Sequence, residues 1–383
     1  MRLLYLHHVP LSSGLANVIQ VLQMCRALQG SGIEVRLAVP ASGKGESDVM
    51  ATAEEELGER VDFSILSYPR YTFRGRLATL GCYWGVRSIL RSNSDADYCF
   101  VRNALFNRMA IQRGLKTMFE AHEAVLHPSS MAMHRWYSRM LLSDVKSPKF
   151  VRFVAISKAL ADLWGGRGVS SDKITVLHDG VAARDYRAPL EQREARERLG
   201  LDAYKKIVVY AGSLYEDRDI ESILRLARSI PDAHFLVVGG PEERKLRYAK
   251  TIGDQGLRNL TFAGRVPHRQ VKEYLFAADV LLMLWSRQVP TIEICSPLKV
   301  FEYMAAGRVI VGYGFSTIEE VLRDSETALL ASPGNYPELE RKLREALRLA
   351  YPNGLAQRAR EAALSRYSWE GRAKSIVEIL SRN

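Results

Sequence analysis

The sequence is poor in long apolar runs and in closely spaced cysteines. None of its apolar stretches approaches the ~18 residues that cross a membrane. His7, His8 and Pro10 interrupt the N-terminal apolar stretch before it forms the core of a signal peptide. The four cysteines lie far apart, without the spacing of a metal site or a disulfide framework. We therefore expect a cytoplasmic protein that holds no metal ion and no cofactor.

A complete dinucleotide-binding fingerprint is also missing. Gly30-Ser31-Gly32 follows a helical pattern instead of a strand, and no third glycine comes after it. Gly14 is better placed, because it lies between the first predicted strand and a helical pattern. A residue without a side chain lets a ligand approach the start of such a helix.

Acidic residues are absent from one long stretch, between Phe63 and Ser94, although the same stretch contains five arginines. The formal net charge of the chain is +11. A basic surface of this kind attracts phosphate-rich ligands or anionic lipid heads, and an ordinary solvated surface explains it equally well. No nucleic-acid-binding motif accompanies the charge, so we do not expect nucleic acid as a partner.

Buried-strand patterns alternate with amphipathic helical patterns along the chain. Leu3 to His7 reads as a strand, a helical pattern begins near Val18, and Ile33 to Val39 reads as a second strand. The same order starts again at Ile207 to Gly212. Because 383 residues exceed one ordinary core, the pattern predicts an α/β protein with two doubly wound domains.

One segment, from Ser296 to Gly307, combines several signals of a helix start and end. Ser296 is a good N-cap, and Pro297 fits the first turn, where a missing N–H costs nothing. Gly307 fits the left-handed residue that ends a helix. Val309 to Val311 then reads as a short buried strand.

Charged side chains in this helix suit a phosphorylated ligand. The start of a helix presents free N–H groups and a partial positive charge, to which Lys299 in the first turn adds a full charge. Glu302, one turn further on, can accept hydrogen bonds from a diol such as ribose. An ordinary capped helix with a solvated lysine and glutamate is the alternative interpretation.

The run Ser-Pro-Leu-Lys at Ser296 to Lys299, followed by Glu302-Tyr303-Met304-Ala305, resembles a signature of retaining glycosyltransferases of family 4, the group 1 type. The resemblance implies the GT-B fold, with two Rossmann-like domains facing across a cleft. Residues 1–183, with a crossing helix at 367–383, would form the acceptor side, and residues 184–366 would bind the nucleotide sugar.

The resemblance also implies roles for single residues. His122, Arg218 and Lys299 would act on the reacting groups. In this family the glutamate at the position of Ile294 contacts the sugar, and an arginine stands where Ser213 does, so this chain departs from the pattern twice. The donor-binding residues implied in this way are Gly14, Gly212, Ser213, Gly264, Arg265, Glu293, Ser296, Pro297, Leu298 and Glu302.

The activity implied by the resemblance is transfer of a sugar from a nucleoside diphosphate sugar to an acceptor hydroxyl, without a metal ion and with retention of the anomeric configuration. The expected acceptor is a glycan, a lipid-linked molecule or a small molecule, and the basic stretch favours peripheral contact with an anionic membrane surface. Three alternatives stay open: an epimerase of the same fold using Glu120, His122 and Glu123, a polyanion-binding protein, and a relative that has lost activity.

Overall fold

The chain divides into two compact units in the computed structural model, which describes residues 1–13, 15–41, 46–69, 82–126, 130–201, 206–254 and 256–383. The first unit consists of Met1–Asp179, Ile294–Ser296 and Trp369–Asn383. The second consists of Gly180–Glu293 and Pro297–Ser368. Gly14, the predicted point of ligand approach, and three of the arginines in the acid-free stretch, Arg70, Arg74 and Arg76, lie outside the described residues.

The first unit is built on one parallel sheet, with seven strands among its described residues in the order β3-β2-β1-β4-β5-β6-β7. The order reverses between β1 and β4, and ligands of doubly wound sheets bind at the carboxyl ends of the strands flanking such a reversal. The strands are β1 (Arg2–Leu6), β2 (Glu34–Pro40), β3 (Ser64–Tyr68), β4 (Tyr98–Val101), β5 (Lys116–Ala121), β6 (Phe150–Ala155) and β7 (Ile174–Val176).

Helices connect these strands, and the last helix of the chain packs along the first one. They are α1 (Ala16–Gly30), α2 (Glu46–Leu57), α3 (Tyr83–Ser92), α4 (Ala104–Gln112), α5 (Met131–Asp144), α6 (Lys158–Gly166) and, at the end of the chain, Trp369–Ser381. Ser130 caps the start of α5, where its hydroxyl accepts a hydrogen bond from the Met133 N–H.

The second unit repeats this plan, with six parallel strands among its described residues in the order β10-β9-β8-β11-β12-β13. The order reverses between β8 and β11. The strands are β8 (Lys206–Ala211), β9 (Ala233–Val238), β10 (Leu260–Gly264), β11 (Val280–Met283), β12 (Val309–Tyr313) and β13 (Leu329–Ala331). The predicted α/β architecture with two doubly wound sheets is therefore confirmed.

The helices of the second unit lie before, between and after these strands. They are α7 (Ala183–Tyr186), α8 (Gln192–Leu199), α9 (Ile220–Ser229), α10 (Glu242–Asp254), α11 (His268–Ala277), α12 (Leu298–Ala306), α13 (Ser316–Glu319), α14 (Tyr336–Arg348) and α15 (Gly354–Arg366). Central strands such as β11 are buried along their whole length because helices cover both faces of the sheet.

Helix α12 starts later than the sequence predicts. Pro297 occupies the N-cap position without a side-chain capping bond, and the helix begins at Leu298. The predicted cap at Ser296 is wrong because the Ser296 hydroxyl is used elsewhere, as an acceptor for the backbone N–H of Asp179 at 2.9 Å. The predicted end is confirmed, since Gly307 adopts a left-handed conformation with φ of 66°.

Two glycines let the loop after β9 lie directly against the loop after β8. A Cβ atom on Gly239 would stand 2.4 Å from the carbonyl oxygen of Gly212, and one on Gly240 would stand 2.4 Å from Cγ of Leu214. Both glycines also have positive φ, 112° and 78°. Any side chain at these positions would push the two loops apart at the carboxyl edge of the sheet.

Tyr303 on α12 provides hydrogen bonds to β8 beyond the point where β8 stops pairing with β11. The ladder between β8 and β11 pairs Val208 with Val280 and Val209 with Leu281. Beyond it, the buried Tyr303 hydroxyl accepts a hydrogen bond from the Ala211 N–H at 2.7 Å and donates one to the Ala211 carbonyl at 3.1 Å. One side chain thus fixes α12 against the end of β8.

No helix in the part of the chain that the structure describes is long and apolar enough to cross a membrane. The peripheral contact with an anionic membrane surface stays a prediction.

Replacing Tyr303 by phenylalanine should destabilise the protein by about 1–3 kcal/mol, because the variant leaves a buried N–H and a buried carbonyl of Ala211 without their partner. Urea unfolding followed by circular dichroism measures the change. The exposed Tyr215 offers a matched control as Tyr215→Phe. Equal unfolding midpoints for Tyr303→Phe and the wild type would contradict the anchoring role.

Candidate functional site

Lys299 lies at the carboxyl edge of the second sheet, against two aromatic rings. Its Nζ atom is 4.4 Å from the centroid of the Tyr210 ring and 5.5 Å from that of the Trp285 ring. Among the described residues, no carboxylate contributes to its electrostatic surroundings. Burial, with a smaller effect from the Arg218 guanidinium, holds the pKa of Lys299 well below its ordinary value. A bound anion would reverse that effect by stabilising the charged form.

Arg218 approaches the same tryptophan from the loop after β8. Its guanidinium carbon lies 5.2 Å from the centroid of the Trp285 ring. Its Nε donates to the Ser213 hydroxyl at 3.2 Å, and its Nη1 lies 3.2 Å from Oδ2 of Asp217. Ser213 therefore holds Arg218 instead of supplying a cation itself. Sequence reasoning named Arg218 and Lys299 and missed the aromatic rings that place them.

Glu302 has a partner that the sequence did not reveal. His268 Nε2 lies 2.7 Å from Glu302 Oε1, and both side chains are partly buried. His268 is the first residue of α11, just after the loop that follows Gly264 and begins with the exposed Arg265. The predicted ribose carboxylate is thus joined by a hydrogen bond to the start of α11 within the second unit.

The two residues that precede α12 by about one turn are held by different partners. Glu293 is exposed, and its Oε2 accepts a hydrogen bond from the Ser316 hydroxyl at 2.7 Å. Ile294 belongs to the first unit, packs against the apolar core of that unit and accepts a hydrogen bond at its carbonyl from the Ser157 hydroxyl at 2.7 Å. A sugar-binding role for Glu293 stays a prediction.

In the first unit, Glu120 near the end of β5 is a fully buried carboxylate between two arginines. Arg102 Nε lies 2.5 Å from its Oε2, and Arg372 Nη2 lies 2.5 Å from its Oε1. Tyr5 donates a further hydrogen bond at 3.2 Å. Burial alone would raise the pKa of Glu120, but Arg102 and Arg372, assisted by His122, hold it well below its ordinary value. Glu120 is therefore ionised at neutral pH.

His122 lies one residue beyond β5, at the carboxyl edge of the first sheet. Its Nε2 is 3.0 Å from Oε2 of Glu120, and about a quarter of its side chain is exposed, at 23%. The buried anion thus orients the imidazole while part of the ring stays accessible. A role beside the donor sugar stays a prediction.

His7 follows β1 at the same edge and is completely buried. Neither ring nitrogen has a hydrogen-bond partner among the residues that the structure describes. Burial holds the pKa of His7 well below its ordinary value, and the neighbouring Arg102, His8 and His122 lower it further. His7 is therefore neutral. Sequence reasoning used it only as an interruption of the apolar stretch and gave it no place in the site.

Asp179 connects this cluster to the segment before α12. Gln20 on α1 donates a hydrogen bond to its carboxylate and accepts one from Arg102 at 2.9 Å. The Asp179 N–H donates to the Ser296 hydroxyl, and both residues belong to the first unit. Burial raises the pKa of Asp179, an effect that His122 and Arg372 reduce. The hydroxyl of Ser296 is thus already an acceptor within the first unit.

Within the described residues, no three His, Cys, Asp or Glu side chains are grouped so that they could hold a metal ion.

Two family models match consecutive parts of this chain. "Glycosyltransferase Family 4" matches residues 18–184, and "Glycosyl transferases group 1" matches residues 191–366. The chain belongs to glycosyltransferase family 4. Along the sequence of this family 4 protein, the boundary between the two models falls after the last strand of the first sheet and before the first strand of the second.

Curated relatives of this family 4 protein include two transferases. The 2-deoxystreptamine glucosyltransferase of Streptomyces kanamyceticus is 25% identical over 249 residues, which cover 63% of this chain and 59% of that protein. The D-inositol 3-phosphate glycosyltransferase of Mycobacterium tuberculosis strain ATCC 25177 / H37Ra is 26% identical over 219 residues, covering 55% of this chain and 44% of that protein. The chain spans about half the length of the curated relatives it matches.

Solved structures with the same fold cover this family 4 chain almost completely. Anabaena Alr3699/HepE in complex with UDP has a TM-score of 0.76 at 15% identity, covering 100% of both chains. Sucrose-phosphate synthase from Thermosynechococcus elongatus has a TM-score of 0.76 at 17% identity, covering 100% of this chain and 98% of that one. The fold is that of the GT-B glycosyltransferases, as predicted.

Replacing His7 by leucine should flatten the acid side of the stability profile of this family 4 protein. Because the pKa of His7 is lowered from 6.5 in the folded protein, the unfolded chain binds more protons as the pH falls through that value, and stability is lost. Between about pH 7.5 and pH 5.5, the wild type should lose about 1 kcal/mol more than His7→Leu.

Urea unfolding at the two pH values measures this difference, with His8→Gln at the exposed neighbour as the control. Equal losses in the wild type and in His7→Leu would show that His7 is not the group that titrates.

Proposed function

We propose that this protein transfers a sugar from a nucleoside diphosphate sugar to an acceptor hydroxyl, with retention of the anomeric configuration. One observation carries the proposal: Lys299 and Arg218 share the Trp285 ring at the carboxyl edge of the second sheet, and Lys299 has no carboxylate neighbour among the described residues. A lysine and an arginine that share one ring at this edge suit a diphosphate.

The second unit supplies the charge stabilisation. When the bond between the anomeric carbon and the diphosphate breaks, negative charge grows on the departing oxygen. Lys299, Arg218 and the first N–H groups of α12 would stabilise that charge more in the transition state than in the ground state. With its Nε on Ser213 and its Nη1 beside Asp217, the five-donor guanidinium of Arg218 keeps further N–H groups for phosphate oxygens.

Glu302 suits the ribose of the donor. A carboxylate accepts hydrogen bonds from two neighbouring hydroxyls, and His268 on Oε1 fixes its orientation. The loop from Gly264 to Pro267 would then lie beside the base.

The first unit suits the reacting sugar. His122, oriented by Glu120, would contact the sugar hydroxyls, and the acceptor hydroxyl would attack the anomeric carbon from the face that the diphosphate leaves. The new bond joins the acceptor oxygen to that carbon, and the proton of the hydroxyl passes to the departing phosphate oxygen. An acid–base role for Glu120, as in an epimerase, is not favoured, because two arginines keep this carboxylate ionised.

The names of similar proteins support a sugar donor of this kind. Alr3699/HepE has been crystallised with UDP and with UDP-glucose, and the curated relatives are a glucosyltransferase and a glycosyltransferase that act on cyclitols by name. A uridine nucleotide sugar and a polyhydroxylated acceptor are therefore the first compounds to test.

Exchanging Lys299 for methionine should weaken the binding of the preferred nucleoside diphosphate about 10- to 100-fold, because a charge-assisted contact to phosphate is lost. Affinity for the matching nucleoside should not change. Glu302→Ala should weaken both ligands, since it removes the ribose contact. Isothermal titration of UDP, GDP and ADP with their nucleosides measures these effects and identifies the base.

The exposed Lys250 in the same unit provides the matched control, as Lys250→Met. Undiminished binding of every nucleoside diphosphate by Lys299→Met would refute the phosphate role of Lys299.

Removing divalent metal ions with EDTA should leave sugar transfer intact, because the proposed charge stabilisation comes from Lys299, Arg218 and the start of α12. Release of UDP from UDP-glucose in the presence of a cyclitol acceptor, followed with and without EDTA, measures this. Loss of turnover that Mn²⁺ or Mg²⁺ restores would contradict metal-independent transfer.

A further inference from the structure

Trp285 is the one side chain that both predicted phosphate-binding cations share in the described part of the second unit. The Arg218 guanidinium carbon and the Lys299 Nζ lie 5.2 Å and 5.5 Å from the centroid of its ring. Both distances are within the range of attraction between a cation and an aromatic face. The ring therefore holds both basic side chains at one place.

The indole N–H of Trp285 has no hydrogen-bond partner among the described residues, although the side chain is only 9% exposed. A buried N–H without a partner is unfavourable and rare in folded proteins. Such a group beside two cations suggests that an oxygen-bearing anion completes its hydrogen bonding.

The loops on either side hold Trp285 in place. The Ser286 N–H donates to the Asp217 carbonyl at 3.0 Å, which joins the loop after β11 to the loop that carries Arg218. The Tyr210 hydroxyl donates to the Ser213 carbonyl at 3.0 Å, which fixes the second ring below Lys299. The indole is thus a fixed part of the edge at which the sheet order reverses.

We propose that Trp285 is a further donor-binding residue: its indole N–H donates to an oxygen of the donor diphosphate, and its ring positions Lys299 and Arg218 on that same group. The proposal rests on the proposed function and adds to it a residue that lies outside the recognised motif. It also explains how the site works with Ser213 in place of an arginine. A third cation would repel Arg218 and Lys299, whereas a neutral N–H adds a contact without charge.

Two substitutions distinguish the contribution of the indole N–H to binding from that of the aromatic ring. Trp285→Phe keeps an aromatic face and removes the donor, and Trp285→Leu removes both. Tyr336→Leu is the matched control, because it breaks another cation–ring pair of the second unit, in which the Arg225 guanidinium carbon lies 3.6 Å from the centroid of the Tyr336 ring. The four proteins are titrated calorimetrically with UDP, GDP and ADP and with uridine, guanosine and adenosine.

For the nucleoside diphosphate that the wild type binds, Trp285→Phe should lower the affinity about tenfold, and Trp285→Leu about thirtyfold. Nucleoside affinity should stay within about twofold in both variants, and Tyr336→Leu should match the wild type. This dependence on the phosphates is the readout that a merely structural role would not give.

Three results would overturn the proposal. Wild-type diphosphate affinity in Trp285→Phe would exclude the indole N–H as a donor. Equal losses for a nucleoside diphosphate and its nucleoside would show that Trp285 only supports the fold. Failure of the wild-type protein to bind any of the three nucleoside diphosphates would overturn the proposed function itself, whereas the first two results would leave that function standing.

Discussion

A desolvated cation without a carboxylate partner is the constraint around which the second unit is arranged. Lys299 lies against two aromatic rings, and the neighbouring Arg218 lowers its pKa further. Such a site is electrostatically unsatisfied until an anion arrives, and its geometry has to be held by contacts other than an ion pair. Tyr303 fixes α12 to the end of β8, and Gly239 and Gly240 allow two loops to meet beside it. These contacts fix the edge of the sheet that carries Lys299 and Arg218.

The first unit differs from the second in the balance of its buried charge. Its buried charge is already compensated, because Arg102 and Arg372 contact the two oxygens of Glu120. The carboxylate therefore acts as an anchor, and His122 is the part of the cluster that stays accessible. A compensated carboxylate suits the orientation of a neutral sugar, and a lysine without a carboxylate partner suits the capture of a diphosphate. The two sheets share one plan and differ in how the charges at their carboxyl edges are balanced.

The sequence predicts those features that depend on neighbouring residues. The strands, the end of α12 at Gly307 and the lysine in the first turn of α12 follow from local patterns, whereas Arg218 follows from the resemblance to family 4. The cap at Ser296 was predicted wrongly because its hydroxyl binds Asp179, 117 positions away. His268 contacts Glu302 across 34 positions, and Trp285 meets Arg218 and Lys299 only after the ends of β8 and β11 have come together. Side-chain periodicity carries no information about such distant pairs. The charged residues of the candidate site were therefore predicted, whereas the side chains that hold them in place were not.

The ion pair between Glu120 and Arg372 has a consequence for the order in which the polypeptide matures. Arg372 follows Glu120 by 252 positions, and all of the second unit's residues are synthesised between them. During translation, a folded first unit without the final helix would bury the carboxylate of Glu120 with only one of its two guanidinium partners. Ribosome-bound chains should therefore keep the sheet around β5 loosely assembled until the final helix emerges from the exit tunnel.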